Sequence, residues 1–235
     1  MRLSLRGRAG WLAHVWKAAT QQHHRELASL LSEFIPKDGV VIDIGAHAGQ
    51  FSKLFARMAP NGQVYAFEPS AYARSVMGPA LALSGLRNIT LTPVGLSDQA
   101  GERVLHTPIK RRGGVGFGLA HFGDGAADRE MVDQTVILST LDHFVEQQGL
   151  TRIDLIKADI EGWELNALRG GAASLARFKP ALYLEIDHTA LVRAGAVPAD
   201  IWALLEPMGY CASMAPGLGA AAGYAGAGDY LFVAP

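Results

Sequence analysis

The sequence predicts an α/β fold built on a mostly parallel seven-stranded sheet with helices on both faces. Val40-Val41-Ile42 is a short β-branched run that suits a strand buried on both sides. Gly45 and Gly49 then bracket a turn, and Gln50 to Met58 continues with Phe51, Leu54, Phe55 and Met58 at helical spacing. Further short apolar runs and helical stretches follow along the chain. Strand, glycine turn and helix in this order make the first half of a nucleotide-binding βαβ unit. Its glycines allow close backbone approach, and its helix start offers N–H groups.

The spacing is not that of a dinucleotide site, because His47 stands where a central glycine would be needed. No Gly-Lys-Ser/Thr follows, so a P-loop is excluded. What remains is D-x-G-x-x-x-G. A second strand, Gln63 to Phe67, ends in Glu68, 19 residues beyond Gly49. An acid at about that distance meets ribose hydroxyls in such folds, which favours adenosine binding.

VVIDIGAHAGQFS followed by VYAFEPS resembles motif I and its acidic partner in S-adenosylmethionine-dependent methyltransferases. More narrowly it resembles the FkbM family. NITLTPVGLSDQAGE, STLDHF and IDLIKADIEGWELNALRGG are also similar to that family, so the likeness runs from Asp38 through Asp187. It implies a Rossmann-like class I methyltransferase, S-adenosylmethionine as cofactor, and an acceptor hydroxyl on a sugar, glycolipid or polyketide-type small molecule. Cofactor contacts are expected from Asp43, Gly45, His47, Gly49, Gln50, Phe51 and Glu68. Leu96 is expected over the adenine, with Ser97 or Asp98 bonding it. Asp43 either orients the glycine turn or receives the methionine ammonium.

At 235 residues the chain is expected to hold one α/β domain, residues 37–235, preceded by an N-terminal helical extension, residues 1–36. A hydrophobic share of 49% and a charged share of 18% exclude a largely disordered chain. The net charge of −1 provides no field for nucleic acid. The single cysteine, Cys211, excludes an internal disulfide and is read as packing. No apolar run approaches a membrane span, and His14 and Lys17 interrupt any leader, so a cytoplasmic enzyme is expected.

Before Glu26 the chain is basic, with Trp11, Leu12, Val15, Trp16 and Ala19 on one helical face. Such a helix either lies on a membrane surface or packs on the domain or a dimer partner, and packing is the favoured reading. Glu26 to Ile35 is expected as a helix stopped by Pro36. Tyr72 to Ser84 is a helix with Gly85 as its stop, kinked or split at Gly78-Pro79. Ile89 to Val94 is a strand, and Pro93 suggests an edge or strand-end position.

Gly101 to Thr107 and Gln134 to Leu138 read as strands flanking a glycine-rich insert, Lys110 to Asp128, taken as a substrate-side lid. Thr140 to Gln148 is a helix, and Ile153 to Ala158 a strand ending at Asp159. Glu161 to Leu168 is helical. Ala181 to Ile186 is a strand, Pro198 to Met208 a helix, and Tyr210 to Met214 and Tyr230 to Val233 the last strands. Ala215 to Gly228 is expected as a mobile hairpin loop.

Ligands bind at the carboxyl ends of strands in open α/β sheets, so Asp43, Glu68, Asp159, Glu185 and Asp187 should share one rim. Methyl transfer is an in-line displacement that the protein mainly aligns. A hydroxyl acceptor also needs help losing its proton, from a general base or a metal. Asp159, Glu161 and His188 are the catalytic candidates. Magnesium held by Asp159 and Asp187 is the less favoured variant. Glu161 and Glu164 equally suit the start of their helix, and Trp163 suits the core. A cofactor-binding protein without catalysis is a second reading. A methyltransferase acting on nucleic acid or protein is a third, and the nucleic-acid form lacks a broad basic surface.

Overall fold

A computed structural model describes residues 5–108, 120–122, 131–215, 217 and 219–235. The elements run α1 (Leu5–Thr20), a 3-10 turn (Arg25–Leu27), α2 (Ala28–Leu31), β1 (Val40–Ile44), α3 (Gln50–Met58), β2 (Gln63–Phe67), α4 (Ala71–Ser84) and β3 (Ile89–Thr92). Then come β4 (Gly95–Leu96), β5 (Gly101–Pro108), β6 (Met131–Ser139), α5 (Leu141–Gln148), β7 (Leu155–Ala158), α6 (Glu164–Arg169), α7 (Ala172–Phe178) and β8 (Ala181–Ile186). The chain closes with α8 (His188–Arg193), α9 (Pro198–Leu205), β9 (Cys211–Met214), β10 (Gly219–Ala221) and β11 (Gly228–Val233).

The main sheet has the order β10-β9-β11-β8-β7-β1-β2-β3. From β3 to β8 neighbouring strands are parallel, whereas β11, β9 and β10 pair antiparallel. It holds the seven expected strands and one more. β10 falls inside the stretch expected as a loop, and its Gly-Ala-Ala sequence bonds β9 through backbone alone. Backbone pairing of that kind leaves no side-chain signal to read. Chain order reverses between β1 and β7, so a crevice opens at their carboxyl ends.

Alternate residues of each central strand face opposite layers. Val41, Leu155, Ala181 and Tyr183 meet Leu27, Leu31, Ile35 and Phe55 on one side. Ile42, Ile44, Ile156, Leu182 and Leu184 meet Leu165, Leu168, Leu191, Ile201 and Trp202 on the other. The expected helix Glu26 to Ile35 is instead a 3-10 turn and the single turn α2, yet Leu27, Leu31 and Ile35 still lie against the sheet. α4 runs unbroken through Pro79 from its Ser70 cap to Gly85.

α1 forms a further layer on α4, through Val15 and Ala18 against Val76 and Ala80. Trp11 donates to the Ser75 hydroxyl at 3.1 Å. The packed edge is thus the partly buried Trp11 with buried Val15 and Ala18, while Leu12 and Trp16, expected on the same face, turn outward. β5 and β6 are antiparallel and, with β4, make a separate three-stranded sheet. The Lys110 to Asp128 insert lies outside the described residues except at 120–122. There His121 exchanges backbone bonds with His106, and Phe122 packs 5.2 Å from the Trp163 ring centre. No helix among the described residues is long and apolar enough to cross a membrane.

Candidate active site

A cleft of about 230 Å³ opens at the carboxyl ends of β1, β2 and β7, where the strand order reverses. Its floor is the turn after β1. Gly45 adopts φ 75°, and a Cβ there would collide with the Asp159 carbonyl oxygen, so glycine serves to close β1 against the end of β7. His47 follows in the left-handed region at φ 53°. Its N–H donates to Glu68 Oε2 at 2.8 Å, and the N–H of Ser70 donates to Oε1 at 2.8 Å.

Glu68 is 6% exposed at the end of β2. Burial raises its proton affinity, opposed by those two N–H bonds. An ionised carboxylate offers about four acceptor positions, so two remain for hydroxyl donors in the cleft.

The opposite wall is the loop after β7. Lys157 stands in the middle of an apolar strand, 2% exposed, and the β1–β7 register sets it against Asp43. Its Nζ donates to the carbonyls of Ile44 at 3.2 Å and Gly45 at 2.9 Å. It faces Asp43 Oδ1 at 3.4 Å and Asp159 Oδ2 at 3.7 Å. Asp43 is wholly buried, and its Oδ2 accepts from the Ser52 hydroxyl at 2.5 Å. It therefore orients Lys157 and the turn from beneath and does not line the cleft.

Asp159 does line it. Burial pushes its carboxyl up, but the Lys157 cation and a hydrogen bond from Glu185 outweigh this and hold it low. That shared bond, with burial, pushes Glu185 up, so the two acids titrate as a pair that shares a proton. Glu161 also lines the cleft, at φ 56°. Burial first, and then the Asp159 charge, raise its proton affinity.

Four non-glycine residues have positive φ among those described: His24, His47, Glu161 and Lys179. The first three line this cleft. Such backbone costs of order 1–3 kcal/mol each and gathers where a site must be held open.

The profile of the Methyltransferase FkbM domain matches residues 43–211. The chain belongs to this family. Methyltransferase sdnD of Sordaria araneosa is 25% identical over 229 residues, covering 83% of this chain and 81% of that protein. The 2-O-methyltransferase NoeI of Sinorhizobium fredii is 28% identical over 166 residues, covering 66% and 65%. The crystal structure of the FkbM methyltransferase from Methylobacillus flagellatus KT matches with a TM-score of 0.52 at 14% identity. That match covers 94% of this chain and 58% of the other, and it speaks to the fold.

The cofactor of this FkbM methyltransferase is S-adenosylmethionine, and the cleft fits it. A buried carboxylate with free lone pairs suits the ribose, and the acids Asp159 and Glu161 in the wall suit a sulfonium. Gly45, His47, Gln50, Phe51 and Glu68 line the cleft, with Asp159 and Glu161. Gly49 lies behind it, capping α3 at φ 78° against Met77.

Leu96, Ser97 and Asp98 are not brought to it. Leu96 is in the core at 2% exposure, and Ser97 accepts from the Trp163 indole at 3.2 Å and donates to Asp98 at 3.0 Å. Trp163 is core, as its neighbours suggested. His188 sits at the start of α8 beside Tyr224, and Asp187 caps that helix by accepting from Ala190 at 2.8 Å. Asp159 and Asp187 thus have protein partners of their own, and no group of three or more His, Cys, Asp or Glu gathers for a metal among the described residues. This donor set does not fit magnesium.

Sequence reading missed Lys157 and His24. A lysine inside I-D-L-I-K-A-D was the available signal for the first, since a charge in a buried strand needs a partner. His24 carried no local signal.

Glu68→Ala is expected to weaken S-adenosylmethionine binding by about 1.5–3 kcal/mol, the scale of hydrogen bonds to a charged group. Calorimetry on the folded variant measures this, and unchanged affinity would remove Glu68 from the ribose site.

Glu164, 1% exposed, gives the fold a pH response. Its Oε1 accepts from Ile160 at 2.8 Å and Gly162 at 3.3 Å, which fixes the loop carrying Asp159 and Glu161. Burial nevertheless lifts its carboxyl to about 7 from 4.5. The folded state then holds a proton that the unfolded chain has lost, so stability falls as pH rises from about 4.5 through 7. The loss from this group is ~3 kcal/mol. Urea denaturation at pH 5 and pH 8 should show a smaller difference in Glu164→Gln than in the native chain.

Proposed function

We propose that this methyltransferase methylates a hydroxyl of a small molecule such as a sugar, glycolipid or polyketide-type metabolite. The observation that carries this reading is the Asp159 carboxylate in the cleft wall, 3.7 Å from the Lys157 ammonium, with Glu161 and Glu68 lining the same cleft. A protein that only bound the cofactor would have no use for acids on the side away from the ribose. The name of the similar 2-O-methyltransferase supports an oxygen acceptor. A net charge of −1 gives no support to a nucleic-acid substrate.

In this reading Glu68 holds the ribose, while Gly45, His47 and Gln50 shape the floor of the cleft. When bound, S-adenosylmethionine supplies an electrophilic methyl group on a cationic sulfur. Asp159 and Glu161 accept hydrogen bonds from the acceptor and keep it in line. Their negative charge also favours the cation beside them. Alignment of this kind supplies much of the acceleration of a bimolecular transfer.

Incubation with S-adenosylmethionine and panels of hydroxyl, amine and thiol acceptors, read by mass spectrometry, tests the proposal. A gain of one methyl on a hydroxyl is expected. Transfer to nitrogen or sulfur acceptors alone would overturn it.

A further inference from the structure

The strap between α1 and the 3-10 turn is clamped onto the first helix of the cofactor fold. Gln50, Lys53 and Arg57 lie on one face of α3, and each grips it. Lys53, wholly buried, donates from Nζ to the carbonyls of Ala18 and Gln21, the latter at 3.0 Å. Arg57 donates to Gln22 Oε1 at 2.5 Å. Gln22 Nε2 donates to the Gln50 carbonyl at 2.9 Å, and the Gln50 side chain accepts from the N–H of His23 at 3.3 Å.

The strap ends in His24, whose φ of 61° turns its ring back over α3. The imidazole stacks on Phe51 at 4.3 Å between centres with 14° between planes. There it becomes a wall of the cleft that Asp159 and Glu161 also line. A buried lysine and a left-handed residue are an expensive way to hold a plain loop. A ring needed in the cleft explains both.

We propose that His24 is the base that takes the proton from the acceptor hydroxyl. This rests on the hydroxyl reading above. Nδ1 lies 4.0 Å from Glu26 Oε1 on the strap side, and in the proposed step Nε2 receives the proton. The acceptor O–H bond breaks and its proton goes to Nε2. The electron pair left on oxygen bonds the methyl carbon, and the carbon–sulfur pair stays with sulfur. One positive charge is lost at sulfur and one gained on the imidazole, so the charge of the cleft is unchanged. Glu26 stands 4.0 Å from its Nδ1 on the strap side, the ring of His23 is 6.3 Å away, and Asp159 lines the same cleft. The proton then leaves by the solvent-exposed side of the ring.

The test uses His24→Ala, which opens space, and His24→Phe, which fills it and keeps the stack on Phe51. Calorimetry with S-adenosylhomocysteine should give Kd values within about threefold of the native enzyme. Turnover of the hydroxyl acceptor found in the screen should fall about 10²–10⁴-fold in both variants. Free imidazole should restore His24→Ala in a saturable way and leave His24→Phe unchanged. Should His24→Ala melt early, His24→Asn, which tolerates the left-handed backbone, takes its place.

Nitrogen NMR of the S-adenosylhomocysteine complex should show His24 protonated at Nδ1 and bare at Nε2. Loss of S-adenosylhomocysteine binding in step with turnover would make the strap a cofactor clamp and overturn the proposal. So would a reversed tautomer, the absence of imidazole rescue, or native turnover in the variants. A native enzyme that methylates only amines or thiols would overturn the hydroxyl reading and this base with it.

Discussion

Lys157→Met is expected to cost about 3–5 kcal/mol of folding stability, the range for removing one partner of a buried ion pair. The lysine side chain is 3% exposed and its nearest carboxylate, Asp43, is fully buried. Without the ammonium, Asp43 keeps the Ser52 hydroxyl, the Gly45 carbonyl loses the Lys157 donor, and the Ile44 carbonyl keeps the N–H of Asp159 at 3.3 Å.

Burial pulls the Lys157 pKa down, but Asp159 and Asp43 together outweigh it and raise the value above 10.5. For a cation with a raised pKa the contribution is complete below the unfolded value and fades only as pH climbs through the folded one. The cost of Lys157→Met is therefore flat across the neutral range. Urea unfolding of Lys157→Met, Asp43→Asn and the double variant measures the coupling. The double variant should recover a large part of the loss. Simple additivity of the two single effects would refute the pairing.

Asp159→Asn is expected to lower turnover by about 10²–10⁴-fold while leaving S-adenosylhomocysteine affinity within a few-fold of native. The amide keeps the shape of the side chain but not its charge. Lys157 loses one of two carboxylates and retains Asp43 at 3.4 Å, so the fold should survive. The negative charge facing the acceptor does not survive, and neither does the partner of a protonated His24. Steady-state kinetics with calorimetry and a melting curve on the same protein separates the effects. Parallel loss of stability and activity would assign Asp159 to the backbone of its turn. Native turnover in a stable protein would remove it from the mechanism.

The sequence by itself determined the parallel core of this protein, because the pattern that encodes it is local. Val40-Val41-Ile42 cannot be solvated, Gly45 and Gly49 permit φ values of 75° and 78°, and the apolar stripe of Gln50 to Met58 then has one face to bury. The same reasoning put Glu68 at the end of β2, facing the cleft from the end of its strand. Pro93 pointed to an edge or a strand end, and β3 lies at the sheet edge and stops at Thr92.

Only the tertiary structure decided what each acid does. Asp43 and Asp159 look alike in the sequence, yet the β1–β7 register places Lys157 between them, burying one and leaving the other in the cleft. Leu96, Ser97 and Asp98 follow a strand as adenine contacts would, but pairing of β4 with β6 and the Trp163 indole bury Leu96 and Ser97, and Asp98 is left exposed beside them. β10 was silent because a backbone ladder does not depend on which side chains it carries. His24 was silent for another reason. Its place is set by Lys53 and Arg57, about 30 residues further along, and no local periodicity records where a distant helix will hold a loop.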